Sequence, residues 1–183
     1  MKLSQYLDAD WDRLQTICSR NPRPRSLSSY MHPRFGPVAI LRCAQALHTN
    51  GWTRLAKVLS LFNVIVFGLE APATLAIGPG LFIAHTNGIV LGPASIGKNA
   101  TIYQQVTLGA LEADFFDASS RPIIEDDVTL AAGAKVLGRI VVGSGSTVGA
   151  NAVVLIDVPP CHLAVGVPAR VVPKQTGQTG QTD

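Results

Sequence analysis

The sequence predicts a mainly β protein: a parallel β-helix of six-residue repeats, preceded by a short α-helical N-terminal segment. Three observations carry this. Aliphatic residues recur at every sixth position from Ile124 to Val154. The first seventy residues instead space their bulky apolar side chains by three and four. Composition, 47% hydrophobic and only 15% charged over 183 residues, suits much buried surface, subunit contacts included.

In chain order, DADWDRLQTICSR places Trp11, Leu14, Ile17 and Cys18 at helical spacing. NPRPRS breaks that helix, because Pro22 and Pro24 disfavour its continuation. PVAILRCAQALHTNGWTRLAKVLSLFNVIVFG reads as two further helices joined by a TNG turn. From Leu75 the texture changes to short periods of Gly, Ala, Val and Ile. The comb Ile124, Leu130, Val136, Val142, Val148, Val154 is entirely aliphatic. Four residues after each tooth come Val128, Ala134, Ile140, Ser146, Ala152 and Val158. Upstream the comb runs Ile77, Ile83, Val90, Ile96, Ile102, Leu108. A six-residue period fits neither a helix nor simple alternation; each short strand supplies one inward aliphatic side chain. Gly97, Gly109, Gly143 and Gly149 fall at the bends, where a side chain would be crowded or φ positive. Leu108 and Ile124 keep the phase but are separated by an excursion of about ten residues beyond the repeat, the kind of surface loop that often carries function. The resulting division is a helical segment over 1–70, a β-helix over 71–173 with a loop at about 109–122, and a polar tail over 174–183, QTGQTGQTD, with no means of packing.

Several function classes drop out. A net charge of +3 is too small to indicate a nucleic-acid partner. Cys18, Cys43 and Cys161 are widely spaced, form no CxxC pair, and suggest neither a disulfide framework nor a metal site. A reducing cytoplasm is the expected compartment. The N-terminus MKLSQYLDADWDRL is wrong for a signal peptide. The longest apolar run, Val58 to Leu69, contains Asn63 and falls short of the ~20 residues a bilayer needs.

IGPGLFIAHTNGIVLG, ATIYQQVTLGA, AGAKVLGRIVVGSGSTVGANAVVLIDVPP and GVPARVV together resemble the serine acetyltransferases of the hexapeptide-repeat superfamily, with the match strongest over Ala71 to Val172. The resemblance implies a left-handed β-helix, an exception to the usual right-handed crossover. It implies homotrimers or dimers of trimers, acetyl-CoA in clefts between neighbouring β-helices, and a link to cysteine biosynthesis. Family tails that end in isoleucine dock into the next enzyme of cysteine synthesis. This chain ends in Asp183, so no such complex is expected.

Acetyl transfer from a thioester to a hydroxyl needs a base for the hydroxyl proton, donors for the tetrahedral oxyanion, and both substrates held close. A lone histidine at a bend is most simply a hydrogen-bonded structural residue. The pattern around His85 matches the family's catalytic histidine and tips the reading to a base. Cys161 as an acylated nucleophile is the weaker choice, its one nearby histidine being the adjacent His162. By resemblance Ala134, Lys135 and Gly138, within AAGAKVLG, belong near CoA. Arg170 and Lys174 are placed to meet its phosphates. Gly109 and Ala110 open the loop and offer a backbone N–H to the oxyanion. The acceptor side departs from the family. Ala84 stands where an aspartate precedes the histidine, Arg121 lacks the histidine of the family's Arg-His-Pro, and Asn21 replaces the aspartate of Arg-Asp-Pro. An ammonium left unpaired in a closed pocket is costly; Glu112, Asp114 or Asp117 of the loop are candidates to compensate. The acceptor is accordingly L-serine, or a sugar or other hydroxyl. The further alternatives are a non-catalytic trimeric scaffold and a β-helical zinc enzyme resembling the γ-carbonic anhydrases. The latter needs three histidines where the repeats offer only His85 and distant His162.

Overall fold

The computed structural model describes residues 1–111 and 120–174. Three helices come first: α1 (Leu3–Cys18), α2 (Gly36–Thr49) and α3 (Thr53–Phe67), with a 3-10 turn at Leu27–Met31 between α1 and α2. Fifteen short strands follow among the described residues. They stack as three parallel faces. One holds β1 (Leu69–Glu70), β4 (Ile89–Leu91), β7 (Thr107–Gly109), β10 (Lys135–Leu137) and β13 (Val153–Val154). The second holds β2 (Ala76–Ile77), β5 (Ser95–Ile96), β8 (Ile123–Ile124) and β11 (Val141–Val142). The third holds β3 (Phe82–Ile83), β6 (Thr101–Ile102), β9 (Thr129–Leu130), β12 (Thr147–Val148) and β14 (His162–Val165), and ends in the antiparallel β15 (Arg170–Pro173). Strands begin at Leu69, just ahead of the expected boundary at residue 71.

The comb is the core. Ile77, Ile96, Ile124 and Val142 stack in register on one face, and Ile83, Ile102, Leu130, Val148 and Ala164 on another. All are buried, as are the small residues of the second comb. Ser146 sits in this column because its Oγ donates to the Pro159 carbonyl (2.7 Å) and accepts from the His162 N–H (3.1 Å), so no buried polar group is left unpaired there.

One tooth differs from expectation. The third face-forming column is Leu91, Leu108, Val136 and Val154; Leu91, not Val90, points inward, and Val90 is half-buried. The cause is local. Ile83 and Leu91 are eight positions apart, whereas Ile102 and Leu108, or Leu130 and Val136, are six. Two extra residues at one corner shift the next strand by one pleat. The bend glycines also divide. A Cβ at Gly97 would lie 2.6 Å from the Glu125 carbonyl carbon, and one at Gly143 would lie 2.5 Å from the Pro160 nitrogen, so crowding explains both. Gly109 would meet nothing within 4 Å.

The helices cap one end of the coil and one flank. The α1 stripe is Leu7, Trp11 and Leu14; Ile17 and Cys18, expected on it, are exposed because the helix ends there and Ser19 turns extended. Trp11 packs edge-on against Phe35 (5.2 Å) in a cluster with Phe82 and Ala84 of the third face, and its indole N–H donates to the Arg23 carbonyl at 2.7 Å. Asp10, on the same stripe, is buried against Arg42 of α2 (2.8 and 3.1 Å) and accepts the Leu81 N–H at 2.7 Å. Arg42 also donates to the carbonyls of Ile77 and Gly78. Burial pushes the Asp10 carboxyl up, opposed by Arg42 and the backbone donors. Removing one member of such a buried pair costs about 3–5 kcal/mol, so this cluster fixes the helices to the first coil.

Candidate active site

His85 sits on the corner between β3 and β4, the corner widened by two residues. The bulge carries the imidazole outward: His85 is exposed, while Ala84 before it and Ile89 after it are buried. The bulge is itself well anchored. Gly88, at φ +73°, returns the chain to β4. The Asn87 carbonyl accepts from the Gln105 N–H of the coil below (3.0 Å), and the Ile89 N–H donates to the Gly68 carbonyl (3.1 Å). Among the described residues the His85 ring makes no hydrogen bond.

Ala84 shows why an acid is absent beside it. Its side chain packs in the cluster of Trp11, Leu14 and Phe35, where a carboxylate would be stripped of water. Its carbonyl, at the peptide that carries His85, accepts from Arg34 Nε at 3.0 Å. Arg34 Nη1 lies 3.6 Å from the Cys18 Sγ, and the Arg34 N–H donates to His32 Nδ1 at 3.3 Å. Burial, then the charge of Arg34, holds His32 below its usual 6.5. Neither arginine nor histidine had a sequence signal; Pro33-Arg34-Phe35 reads only as a helix approach. Asn21 is exposed on the loop that leaves Cys18, its N–H bonded to Ser19 Oγ (3.2 Å).

The residues expected near CoA fall into two groups. Lys135 lies on the His85 side, with Nζ donating to the carbonyls of Gln105 (2.5 Å) and Gly133 (3.2 Å). Ala134 is fully buried, its N–H bonded to the Ala131 carbonyl and its own carbonyl accepting from the Thr107 N–H. Gly109, Ala110, Gly138 and Arg121 lie at the opposite edge of the same face. There Gly138, at φ +92°, donates to the Gly109 carbonyl at 2.9 Å. Arg170, exposed on β15, is five strand steps from β3, roughly 24 Å at ~4.8 Å per step. Lys174 donates to the Gly145 carbonyl at 3.2 Å. Glu112, Asp114 and Asp117 lie outside the described residues, as does the tail beyond Lys174. One chain therefore sets His85 at one edge of a face and the open glycine at the other. No cluster of three potential metal ligands occurs among the described residues. No described helix is long and apolar enough to cross a membrane.

Comparison with known proteins places this geometry. Residues 121–155 match the bacterial transferase hexapeptide (six repeats) family. A serine acetyltransferase of Bacillus subtilis is 39% identical over 162 residues, covering 87% of this chain and 74% of that protein. A soybean serine acetyltransferase complexed with serine superposes with a TM-score of 0.80 at 36% identity, over 93% of this chain and 69% of that one. A serine acetyltransferase in complex with CoA gives 0.78 at 30% identity, over 93% and 69%. The three-faced coil is thus the left-handed β-helix that the resemblance implies. The chain belongs to the serine acetyltransferase family of hexapeptide-repeat acyltransferases.

Proposed function

We propose that this protein transfers the acetyl group of acetyl-CoA to the hydroxyl of L-serine, with His85 as the base. The observation that carries the reading is the anchored, outward bulge that exposes His85 on a coil shared with relatives that bind serine and CoA. In this mechanism the His85 imidazole takes the serine hydroxyl proton as the oxygen attacks the thioester carbon. The tetrahedral oxyanion needs a backbone donor, and the Ala110 N–H has no hydrogen-bond partner among the described residues. Collapse breaks the C–S bond, and the imidazolium returns its proton to the departing CoA thiolate.

The base and that donor stand at opposite edges of one face, which supports a trimer in which Gly109 and Ala110 of one subunit meet His85 of the next. Exposed apolar residues along α3, among them Leu55, Val58, Leu61, Phe62 and Ile65, support self-association as well. In this reading residues 1–70 form a helical cap, 71–173 form the transferase domain, and the protein works in the cytoplasm. Lys135, Gly138 and Arg170 line the CoA side and Asn21 and Arg121 the acceptor side, while Ala84 contributes through its carbonyl rather than its side chain. The test is thiol release from acetyl-CoA with L-serine. His85→Ala should lower kcat by ~10²–10⁴-fold with melting temperature and CoA affinity kept. A loss below tenfold in the folded variant removes His85 as the base.

A further inference from the structure

The bulge that carries His85 is held by an arginine. Arg34 reaches across fifty positions of sequence to place Nε on the Ala84 carbonyl, one residue from the base. A guanidinium offers five N–H donors in a planar fork. Here one is taken by that carbonyl, and the Nη1 contact to the Cys18 Sγ, at 3.6 Å, is long and weak. No ion pair of Arg34 occurs among the described residues, whose ion pairs are Arg25–Asp8, Arg42–Asp10 and Lys98–Asp126. The contrast with Arg42 is informative. That guanidinium is fully buried and satisfied by a carboxylate and two carbonyls. Arg34 is half-buried, fixed at one edge and uncompensated at the other. Its charge is felt nearby, since after burial it is the second cause that lowers the His32 pKa. A cation fixed on the peptide that precedes His85 favours an acceptor that brings a negative charge, because a bidentate guanidinium–carboxylate pair is both strong and directional.

We propose that Arg34 is a specificity-determining residue that receives the carboxylate of the acceptor and so selects hydroxy acids over neutral or purely cationic alcohols at the His85 site. This rests on the acetyl-transfer reading above and deepens it: of the groups on L-serine, the carboxylate is assigned to Arg34. The peptide clamp gives the same guanidinium a fixed orientation, so that the hydroxyl two or three bonds from the carboxylate carbon is presented to the imidazole.

The experiment compares three acceptors, L-serine, L-serinamide and L-glycerate, with the wild type, Arg34→Gln and Arg34→Lys. Arg34→Gln should lower kcat/KM for L-serine and L-glycerate about 10- to 100-fold more than for L-serinamide, mainly through KM, any loss shared by all three acceptors reporting the peptide clamp. Arg34→Lys, which keeps the charge but not the fork, should recover part of that loss. KM for acetyl-CoA and the melting temperature report whether the fold and the cofactor side survive. If L-serine and L-serinamide fall together, or neither changes, Arg34 only holds the peptide and the proposal is overturned. Should the wild type refuse L-serine, the serine reading fails separately. Arg34-dependent turnover of L-glycerate would then still sustain the proposal, whereas turnover of neutral alcohols only, or of none, would end it.

Discussion

The coils from Ile124 to Val154 and the coil that carries His85 use the same stacked strands but solve different problems. In the lower coils every inward tooth is six residues from the next, and bends are filled by glycines that crowd the coil below. In the upper coil the spacing stretches to eight and then shortens to five before Ile96, and a helical cluster covers its outer flank. Regularity lets each coil template its neighbour and bury one more aliphatic side chain, typically about 1.5–3 kcal/mol of burial apiece. The departure from regularity costs two residues of loop and turns a backbone corner into a displayed histidine. In the proposed reading the inward teeth supply stability while displayed corners and edges supply chemistry, and that division is open to attack from both sides.

The strongest blow on the regular side is Leu130→Ala. Leu130 is completely buried between Ile102 above and Val148 below, and no neighbour can move in without breaking a ladder. A loss of about 2–5 kcal/mol is expected, read as a fall in the denaturation midpoint. At a temperature where the variant is folded, kcat should stay within about twofold of wild type. A large fall in kcat in the folded variant would mean that the inward teeth contribute to chemistry and that the division is false.

Gly109→Ala probes the other side with a smaller expected effect. A Cβ there has open space, unlike Gly97, so stability should change by no more than about 0.5 kcal/mol. If this edge receives the pantetheine arm, the added methyl occupies its path, and KM for acetyl-CoA should rise about tenfold, the equivalent of ~1.4 kcal/mol. An unchanged KM would take Gly109 off the cofactor side.

The same division explains what the sequence made legible. Periodicity is a signal only where it is kept. Ile124 through Val154 could be assigned residue by residue, whereas Val90 was placed on the wrong pleat because the comb cannot reveal where two extra residues enter. The expectation for His85 came from its flanking pattern, not from spacing. Arg34, His32 and the Asp10–Arg42 pair were not readable, since each acts across 21 to 71 positions of sequence through a contact that only packing creates. Asp10 even occupies the apolar stripe of α1, where a charge looks like a flaw until Arg42 and the Leu81 N–H are seen to meet it. Ala84 looked like a lost carboxylate; in the fold it is a small apolar residue suited to an aromatic cluster.

The smallest effect sharpens the link between that cluster and the site. His32 stands edge-on to Trp11 at 6.0 Å and accepts from the Arg34 N–H, and both desolvation and the Arg34 charge disfavour its protonation. Its folded-state pKa therefore lies below the unfolded 6.5. Between those two values the unfolded chain binds the proton and the native chain does not. This contribution is accordingly present above pH 6.5 and is lost as pH falls through the folded value. His32→Asn retains a side-chain acceptor for the Arg34 N–H but cannot titrate. Compared from pH 7 to pH 5, its melting temperature should fall less than that of the wild type, the carboxylates titrating in both. Equal slopes would show that neither burial nor the Arg34 charge disfavours the protonated His32, and would weaken the case that Arg34 is an uncompensated cation.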